Sequence, residues 1–300
     1  MNEPPFSSPL EETVVIVGVG MIGGSLAAAL KRRHVARWVI GVGRNADRIE
    51  AARRTGLIDE AATDASAVLN RADVVVFCTP VDRVAAEVRM VHTAFTAASR
   101  DELPPTHVRR NMLLTDAGSV KSPICADLAD IPNFVGSHPI AGSHRQGFEA
   151  ADSQLFQGRL CVLTPLPESP QLQVERLERF WQAVGMRTVR MSPKAHDEAL
   201  AMTSHLPHVV AAALSTTLDE KNRPLTGSGF RDTTRVAAGD PKLWTGILMS
   251  NSEQVIHGID EFQQRLAAYR EALATGNSQE IRKLLVEGQI SREAVDEISN

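Results

Sequence analysis

Cysteine is scarce and scattered. Cys78, Cys125 and Cys161 are the only three in 300 residues, and no two form a CxxC pair. That excludes a disulfide framework and a zinc knuckle, and it fits a reducing cytoplasm. Neither sign of charge dominates, since 36 acidic and 32 basic residues are mixed along the chain for a net charge of -4. No basic face is left for nucleic acid. A long apolar run is also lacking: the longest stretch, Val14 to Leu30, is broken by Gly18, Gly20, Gly23 and Gly24. It reads as a buried strand turning into a helix, and no membrane span or membrane partner is expected. The start, MNEPPFSSPLEE, has neither the basic nor the apolar region of a secretory signal and reads as a flexible tail over residues 1–12. Internal repeats and low-complexity tracts are absent.

What is present is enough apolar material, 43% of the chain, for a full core and about two domains. Short β-branched runs alternate with Ala-rich helical segments in the first half: TVVIVG at 13–18, RWVIGVG at 37–43, ADVVVFCTP at 72–80, NMLLTDAG at 111–118, NFVGSHP at 133–139 and RLCVLTP at 159–165. Several are apolar throughout, as strands covered on both faces are, so an α/β fold with a mostly parallel Rossmann-type sheet is expected. An amphipathic helix over 172–185 and a last strand over 186–193 follow, and Pro193 closes the strand signals. Residues 194–300 carry helical periodicity with few β-branched clusters. The expected organisation is a dinucleotide-binding domain over 13–193 and an all-helical domain over 194–300, the latter a candidate dimerisation and substrate domain.

Gly18-Val19-Gly20-Met21-Ile22-Gly23 follows the first strand and opens the helix at Leu26 to Lys31. In that setting glycines let the backbone approach a pyrophosphate, and the helix N-terminus offers N–H donors and the positive end of its dipole. At the end of the second strand an NAD site would place a carboxylate for the ribose 2′-hydroxyl. Gly43 stands there instead, followed by Arg44, which can stack on adenine or pair with a 2′-phosphate. NADP is therefore preferred over NAD. Cys78-Thr79-Pro80, after the third buried strand, is placed to edge the same crevice.

Residues 134–148, FVGSHPIAGSHRQGF, put His138 and His144 among Gly, Ser and Pro. That composition is loop chemistry, and a loop histidine is usually just solvated surface. A second loop motif, Thr115-Asp116-Ala117-Gly118-Ser119-Val120-Lys121, follows a strand at the same carboxyl edge, where open α/β sheets bind ligands. His205 and His208 are three apart, the spacing of a helical pair, but the glutamate of an HExxH motif and a third ligand are missing, so no metal is expected.

Taken in order, GVGMIGGS, DAGSVK, GSHPIAG, LFQGRLCVLTP, SHLPH and GFRDTTRVAAGDPKLW resemble the prephenate/arogenate dehydrogenases of tyrosine biosynthesis over nearly the whole chain. The resemblance implies oxidation and decarboxylation of prephenate to 4-hydroxyphenylpyruvate, or of arogenate to tyrosine, with hydride transfer to NAD(P). By the same resemblance His138 is the catalytic histidine that takes the proton of the 4-hydroxyl, and Ser119 is the serine that bonds that hydroxyl and helps orient the histidine. An imidazole suits the task because its unperturbed pKa lies near neutrality. Arg235 matches the arginine that grips a substrate carboxylate, with Arg231 the competing choice four residues earlier. His205 matches a histidine of the substrate pocket, and Trp244 is a candidate wall of it. His144 stands where many relatives carry an acid of a gating ion pair, so that gate is not expected in the same form. No fused mutase or ligand-sensing domain is expected either, and feedback by tyrosine would have to act at the active site.

Two other readings compete. A 3-hydroxyacid dehydrogenase or imine reductase shares the glycine-rich start, but such enzymes rely on a lysine of the helical domain, whereas the charged groups that line up with a motif here are His205 and Arg235, not Lys221 or Lys242. A nucleotide-sensing module that binds NADP without turnover needs no proton acceptor, yet both His138 and Ser119 are present.

Overall fold

The computed structural model of the protein describes residues 8–101, 112–142 and 145–299. Strands β1 (Glu11–Val17), β2 (Ala36–Val42), β3 (Glu60–Ala62), β4 (Val74–Phe77) and β5 (Leu113–Asp116) form a parallel sheet in the order β3-β2-β1-β4-β5. Helices α1 (Met21–Arg32), α2 (Ala46–Arg54), α3 (Val81–Asp101) and α4 (Ser122–Asp127) lie between and after them in the chain. Val14, Val15 and Ile16 of β1 and Val74 to Phe77 of β4 are fully buried. Such strands carry apolar residues at successive positions because helices cover both faces of the sheet. The strand order reverses between β1 and β4, and the crevice above that switch point is where this architecture receives ligands.

The expected strands of the second half do not extend this sheet. β6 (Gly136–Pro139), β7 (Leu160–Thr164) and β8 (Arg187–Arg190) form a separate three-stranded sheet, with β6 antiparallel to β7 and β7 parallel to β8. The helix α5 (Gln171–Val184) makes the crossover from β7 to β8 and ends on Gly185 in the left-handed region at φ 110°. A single parallel bridge, Leu114 to Phe134, continues β5 toward the second sheet. Trp181 of α5, fully buried, packs on Phe156 and Phe180 and donates its indole N–H to Ser137 Oγ at 3.0 Å.

Ser192 caps α6 (Pro193–Leu200) by accepting from Ala195 N–H at 3.1 Å, with Pro193 at the first helical position, where its missing N–H costs nothing. A π-helical turn over Ala201–His205 then leads into α7 (Leu206–Thr216). Pro207 explains the irregularity, since it cannot donate to the turn before it and its ring crowds that turn's carbonyl. Helices α8 (Ser228–Thr234) and α9 (Pro241–Ser250) flank a short 3-10 turn at Arg235–Ala238.

The chain divides into two compact units, Met1–Asn251 and Ser252–Asn300. The second consists of α10 (Ser252–Ala274) and α11 (Ser278–Ser299), an antiparallel pair joined by a short turn with Gly276 at φ 65°. The expected division at 193/194 falls between β8 and α6, inside the first unit. Among the described residues no helix is long and apolar enough to cross a membrane.

Candidate active site

The glycine-rich turn is built as a cradle. Gly18 has φ 94°, and a Cβ there would stand 2.9 Å from Thr79 Cγ2 and 3.0 Å from the Cys78 carbonyl. The loops after β1 and β4 thus touch through a residue that must be glycine. A Cβ on Gly23 would come within 2.2 Å of Gly18 O, whereas one on Gly20 would meet nothing within 4 Å. Gly20 is the N-cap of α1 and supplies no side-chain cap, so the first N–H groups, including those of Met21 and Ile22, are left for an external acceptor. Pro80 is exposed, and burial, with the Asp116 carboxylate second, pushes the Cys78 thiol up, so it stays protonated. At the end of β2, a Cβ on Gly43 would make ordinary contact with Ile49 at 3.6 Å, and Arg44 is exposed with no ion pair among the described residues.

The next strand ends are locked together by a buried ion pair. Lys121 and Asp116 are both fully buried, and Lys121 Nζ donates to Asp116 Oδ2 and, at 3.0 Å, to Ser137 O. Asp116 also accepts from Gly118 N–H at 2.9 Å and Ser137 N–H at 3.2 Å. Ser137 Oγ donates to Asp116 O at 2.6 Å and lies 2.8 Å from Thr115 Oγ1. Motif DAGSVK and motif GSHP are therefore one hydrogen-bonded object. Ser119, between them in the turn, is partly exposed and has no hydrogen-bond partner among the described residues.

His138 decides between two readings of one stretch: it stands on strand β6, opposite Val162 of β7, as the run at 133–139 predicts, and not on the loop that the composition of 134–148 suggests. Backbone pairing of GSHP with β7 overrides the turn-forming composition, and only the residues after Pro139 are irregular. His138 is 9% exposed, and its Nδ1 lies 2.9 Å from Nε2 of the fully buried His196. His196 Nδ1 in turn is 2.7 Å from Asp197 Oδ1. Asp197 also accepts from the backbone N–H groups of Lys121 at 2.8 Å and Ser122 at 2.7 Å. Burial, followed by the repulsion that a second positive charge would meet beside His196, Lys121 and His205, pushes the His138 imidazole well below its ordinary value, so it is neutral near pH 7.

The π turn carries His205. Asn251 Nδ2 donates to Asp197 O at 2.8 Å, which fixes the amide orientation, and the same nitrogen lies 3.1 Å from His205 Nδ1. His205 Nδ1 therefore accepts, and the hydrogen sits on Nε2, which is buried without a partner among the described residues. Burial lowers His205 to about 4, with His196 adding to the shift and Asp197 opposing it. Trp244 of α9 meets His205 edge-on and stacks flat on His208. Arg231 lies on α8 and Arg235 opens the 3-10 turn that packs on α7; both are exposed and have no ion pair among the described residues. His144 lies outside the described residues.

Sequence reasoning missed His196, Asp197 and Asn251. The only signal for the first two was a His-Asp pair in the first turns after a Ser-Pro helix start, which reads as an ordinary solvated face.

With this geometry in place, the likeness to known proteins is informative. The family model for the nucleotide-binding domain of prephenate dehydrogenase matches residues 26–190, and the model for its dimerization domain matches residues 192–287. The chain is 33% identical over 272 residues to prephenate dehydrogenase of Bacillus subtilis, covering 87% of this chain and 70% of that protein. It is 32% identical over 292 residues to cyclohexadienyl dehydrogenase of Zymomonas mobilis, covering 94% and 95%. Among solved structures, that of Aquifex aeolicus prephenate dehydrogenase in complex with hydroxyphenyl propionate and NAD+ superposes with a TM-score of 0.83 at 32% identity, covering 95% of this chain and 98% of that one. Synechocystis arogenate dehydrogenase superposes with a TM-score of 0.77 at 29% identity, covering 94% and 99%.

Proposed function

The chain belongs to the prephenate dehydrogenase family, and on that premise we propose how its residues carry out NAD(P)-dependent oxidative decarboxylation of a cyclohexadienyl acid in tyrosine biosynthesis. The observation that carries the assignment of roles is His138: a buried neutral imidazole, held at Nδ1, with Nε2 free of partners among the described residues. It stands one residue beyond a serine bonded to Asp116 at the carboxyl end of β5.

The cradle of Gly18, Gly20, Met21, Ile22 and Gly23, closed by Cys78, Thr79 and Pro80, fits a dinucleotide, since a side chain at Gly20 would meet nothing and the N–H groups of α1 lack a cap. When bound, the nicotinamide supplies the hydride acceptor. Prephenate and arogenate share a ring bearing a carboxylate on C1 and a hydroxyl on C4. His138 Nε2 accepts the hydroxyl proton as the C4 hydrogen leaves, and Ser119 donates to the same oxygen. Loss of the C1 carboxylate as carbon dioxide then aromatises the ring. Arg235 holds the side-chain carboxylate, with Arg231 the nearest alternative, because a guanidinium pairs with a carboxylate through two parallel bonds. The His205 Nε2–H donates to a substrate oxygen, and Trp244 walls the ring. These roles rest on the free Nε2 positions of His138 and His205 and on the unpaired guanidinium groups.

NADP is the preferred nucleotide in this reading, because the position that would repel a 2′-phosphate is Gly43 and Arg44 beside it is unpaired. The NAD+ in the Aquifex relative favours the other choice. A homodimer is proposed from the dimerization-domain match and from the apolar side chains of Ile256, Leu266, Leu273, Leu285 and Ile290, which the unit Ser252–Asn300 leaves exposed. Nicotinamide reduction by the purified protein, with prephenate or arogenate and with NADP or NAD in all four combinations, tests substrate and cofactor together. Turnover with NADP supports both proposals, turnover with NAD alone overturns the role given to Arg44, and no turnover in any combination overturns the reaction.

A further inference from the structure

We propose that His196 and Asp197 form a closed proton relay behind His138. The relay fixes the tautomer that makes His138 Nε2 the acceptor, and it holds the substrate's hydroxyl proton inside the fold until the product oxygen takes it back. The inference rests on the reaction assigned above.

The tautomer follows from the bonding pattern. Asp197 accepts two backbone N–H bonds, from Lys121 and Ser122, and is 2% exposed. Burial works to raise its carboxyl, but the bonds from His196, Lys121 and Ser122 outweigh it and hold the group below its usual value. A carboxylate can only accept, so the hydrogen between Asp197 Oδ1 and His196 Nδ1, 2.7 Å apart, belongs to the imidazole. The relay accordingly assigns the lone pair of His196 to its other ring nitrogen, Nε2. The contact of that atom with His138 Nδ1 at 2.9 Å requires the hydrogen to sit on His138 Nδ1. The lone pair of His138 is left at Nε2. A carboxylate two side chains away thus decides which nitrogen of His138 can accept.

The proton balance of the reaction explains why a relay with no exit suffices. The C4–H bond breaks with its electron pair, for which a bound nicotinamide would supply the acceptor. The hydroxyl proton moves to His138 Nε2 as the C4 oxygen gains carbonyl character, and the Nδ1 proton of His138 shifts to His196 Nε2. The imidazolium so formed faces Asp197. The C1–carboxylate bond then breaks, carbon dioxide leaves, and its electron pair completes the aromatic ring and returns charge to the C4 oxygen, which takes the proton back. A hydroxyl enters and a hydroxyl leaves, so no proton need reach solvent. His196 is fully buried and Asp197 nearly so, as such a store requires. His196 and Asp197 are positioning residues in this scheme, because neither touches the substrate.

The test uses the whole protein labelled with 15N-histidine. Imidazole nitrogen spectra at neutral pH, with His138 assigned through its loss in His138→Asn, are expected to show the hydrogen of both His138 and His196 on Nδ1. In His196→Phe, kcat is expected to fall at least about a hundredfold while the KM of the organic substrate changes less than about threefold, because general-base steps contribute on that scale. His138 should then populate the Nε2–H tautomer. His196→Gln, whose amide oxygen can still accept from His138 Nδ1, should retain the tautomer and recover part of kcat. A wild-type spectrum with His138 protonated on Nε2, or an unchanged kcat in folded His196→Phe, overturns the relay. If the wild type turns over neither prephenate nor arogenate, the assigned reaction fails, and the nitrogen spectra still decide the tautomer.

Discussion

His208 lies flat on Trp244, with ring centroids 3.6 Å apart and planes 13° from parallel. The stack exists because residue 239 is glycine. A Cβ there would stand 2.5 Å from Trp244 Nε1, 2.8 Å from its Cδ1 and 3.0 Å from His208 Cε1. None of these atoms ends a flexible chain, so Gly239→Ala must displace the indole, and with it the edge that faces His205. The expected result is a rise of about tenfold or more in the KM of the cyclohexadienyl substrate, since misplacement by an ångström costs on that order. The nucleotide KM should stay unchanged. Steady-state kinetics with each substrate varied in turn checks this; an equal rise in both would show a general loss of structure.

The buried pair of Lys121 and Asp116 predicts a stability effect of a different size. Removing the ammonium by Lys121→Met leaves a carboxylate with no exposure and no counter-ion, which costs about 3–5 kcal/mol. Adding Asp116→Asn to that variant removes the orphaned charge and should recover part of the loss, because its one amide oxygen can still accept from either Gly118 or Ser137 N–H, which the two carboxylate oxygens now take separately. Urea unfolding of the wild type and both variants reads the difference. If the double variant is no more stable than Lys121→Met, the charge is not what the pair controls.

Much of the fold was legible because its signals are local. Buried parallel strands spell apolar runs, and GVGMIGG announces a strand turning into a helix, so β1, β2, β4 and β5 stand where the sequence puts them. β3 escaped notice because Glu60-Ala61-Ala62 has no β-branched residue and is held by pairing with β2. That β6, β7 and β8 form their own sheet was equally hidden, since alternation tells which residues are strand but not which strand is the neighbour. At the site, Gly18, Ser119, His138, His205 and Arg235 could be picked out by motif. His196 and Asp197 could not, because a helix is polar on the side it gives to solvent and α6 gives this polar side to the interior instead. Only packing against β6 and the start of α4 turns those two residues from surface into relay.

Acid should weaken the fold through its neutral imidazoles. His205 titrates near 4 in the folded protein, and His138 lies well below its ordinary 6.5. In the unfolded chain both return to about 6.5, so at lower pH the unfolded state binds more protons and is favoured. The contribution is complete above pH 6.5 and is lost progressively as the pH falls toward 4. For His205 alone it amounts to roughly 3 kcal/mol across that window. Urea unfolding at pH 7.5 and pH 5 should show a smaller pH dependence in His205→Asn than in the wild type. A slope that is unchanged by the substitution would mean that His205 is not held neutral by burial.

The cofactor preference turns on one empty position. A Cβ on Gly43 would make ordinary contacts of 3.6 Å with Ile49, so Gly43→Asp introduces a carboxylate without disturbing β2 or α2. That carboxylate would stand beside Arg44, which no other acid engages among the described residues, and would draw its guanidinium away from any phosphate. It would also repel a 2′-phosphate directly and accept from a 2′-hydroxyl. Two charges about 8 Å apart near a protein surface repel by about 2 kcal/mol, so the ratio of kcat/KM for NADP to that for NAD should fall about thirtyfold. Arg44→Ala should lower kcat/KM for NADP and leave NAD nearly untouched. The two substitutions act on opposite sides of one contact, and that makes them separable: a protein that uses Arg44 for the phosphate responds to both, whereas one that uses Arg44 only to stack on adenine loses NAD and NADP alike in Arg44→Ala.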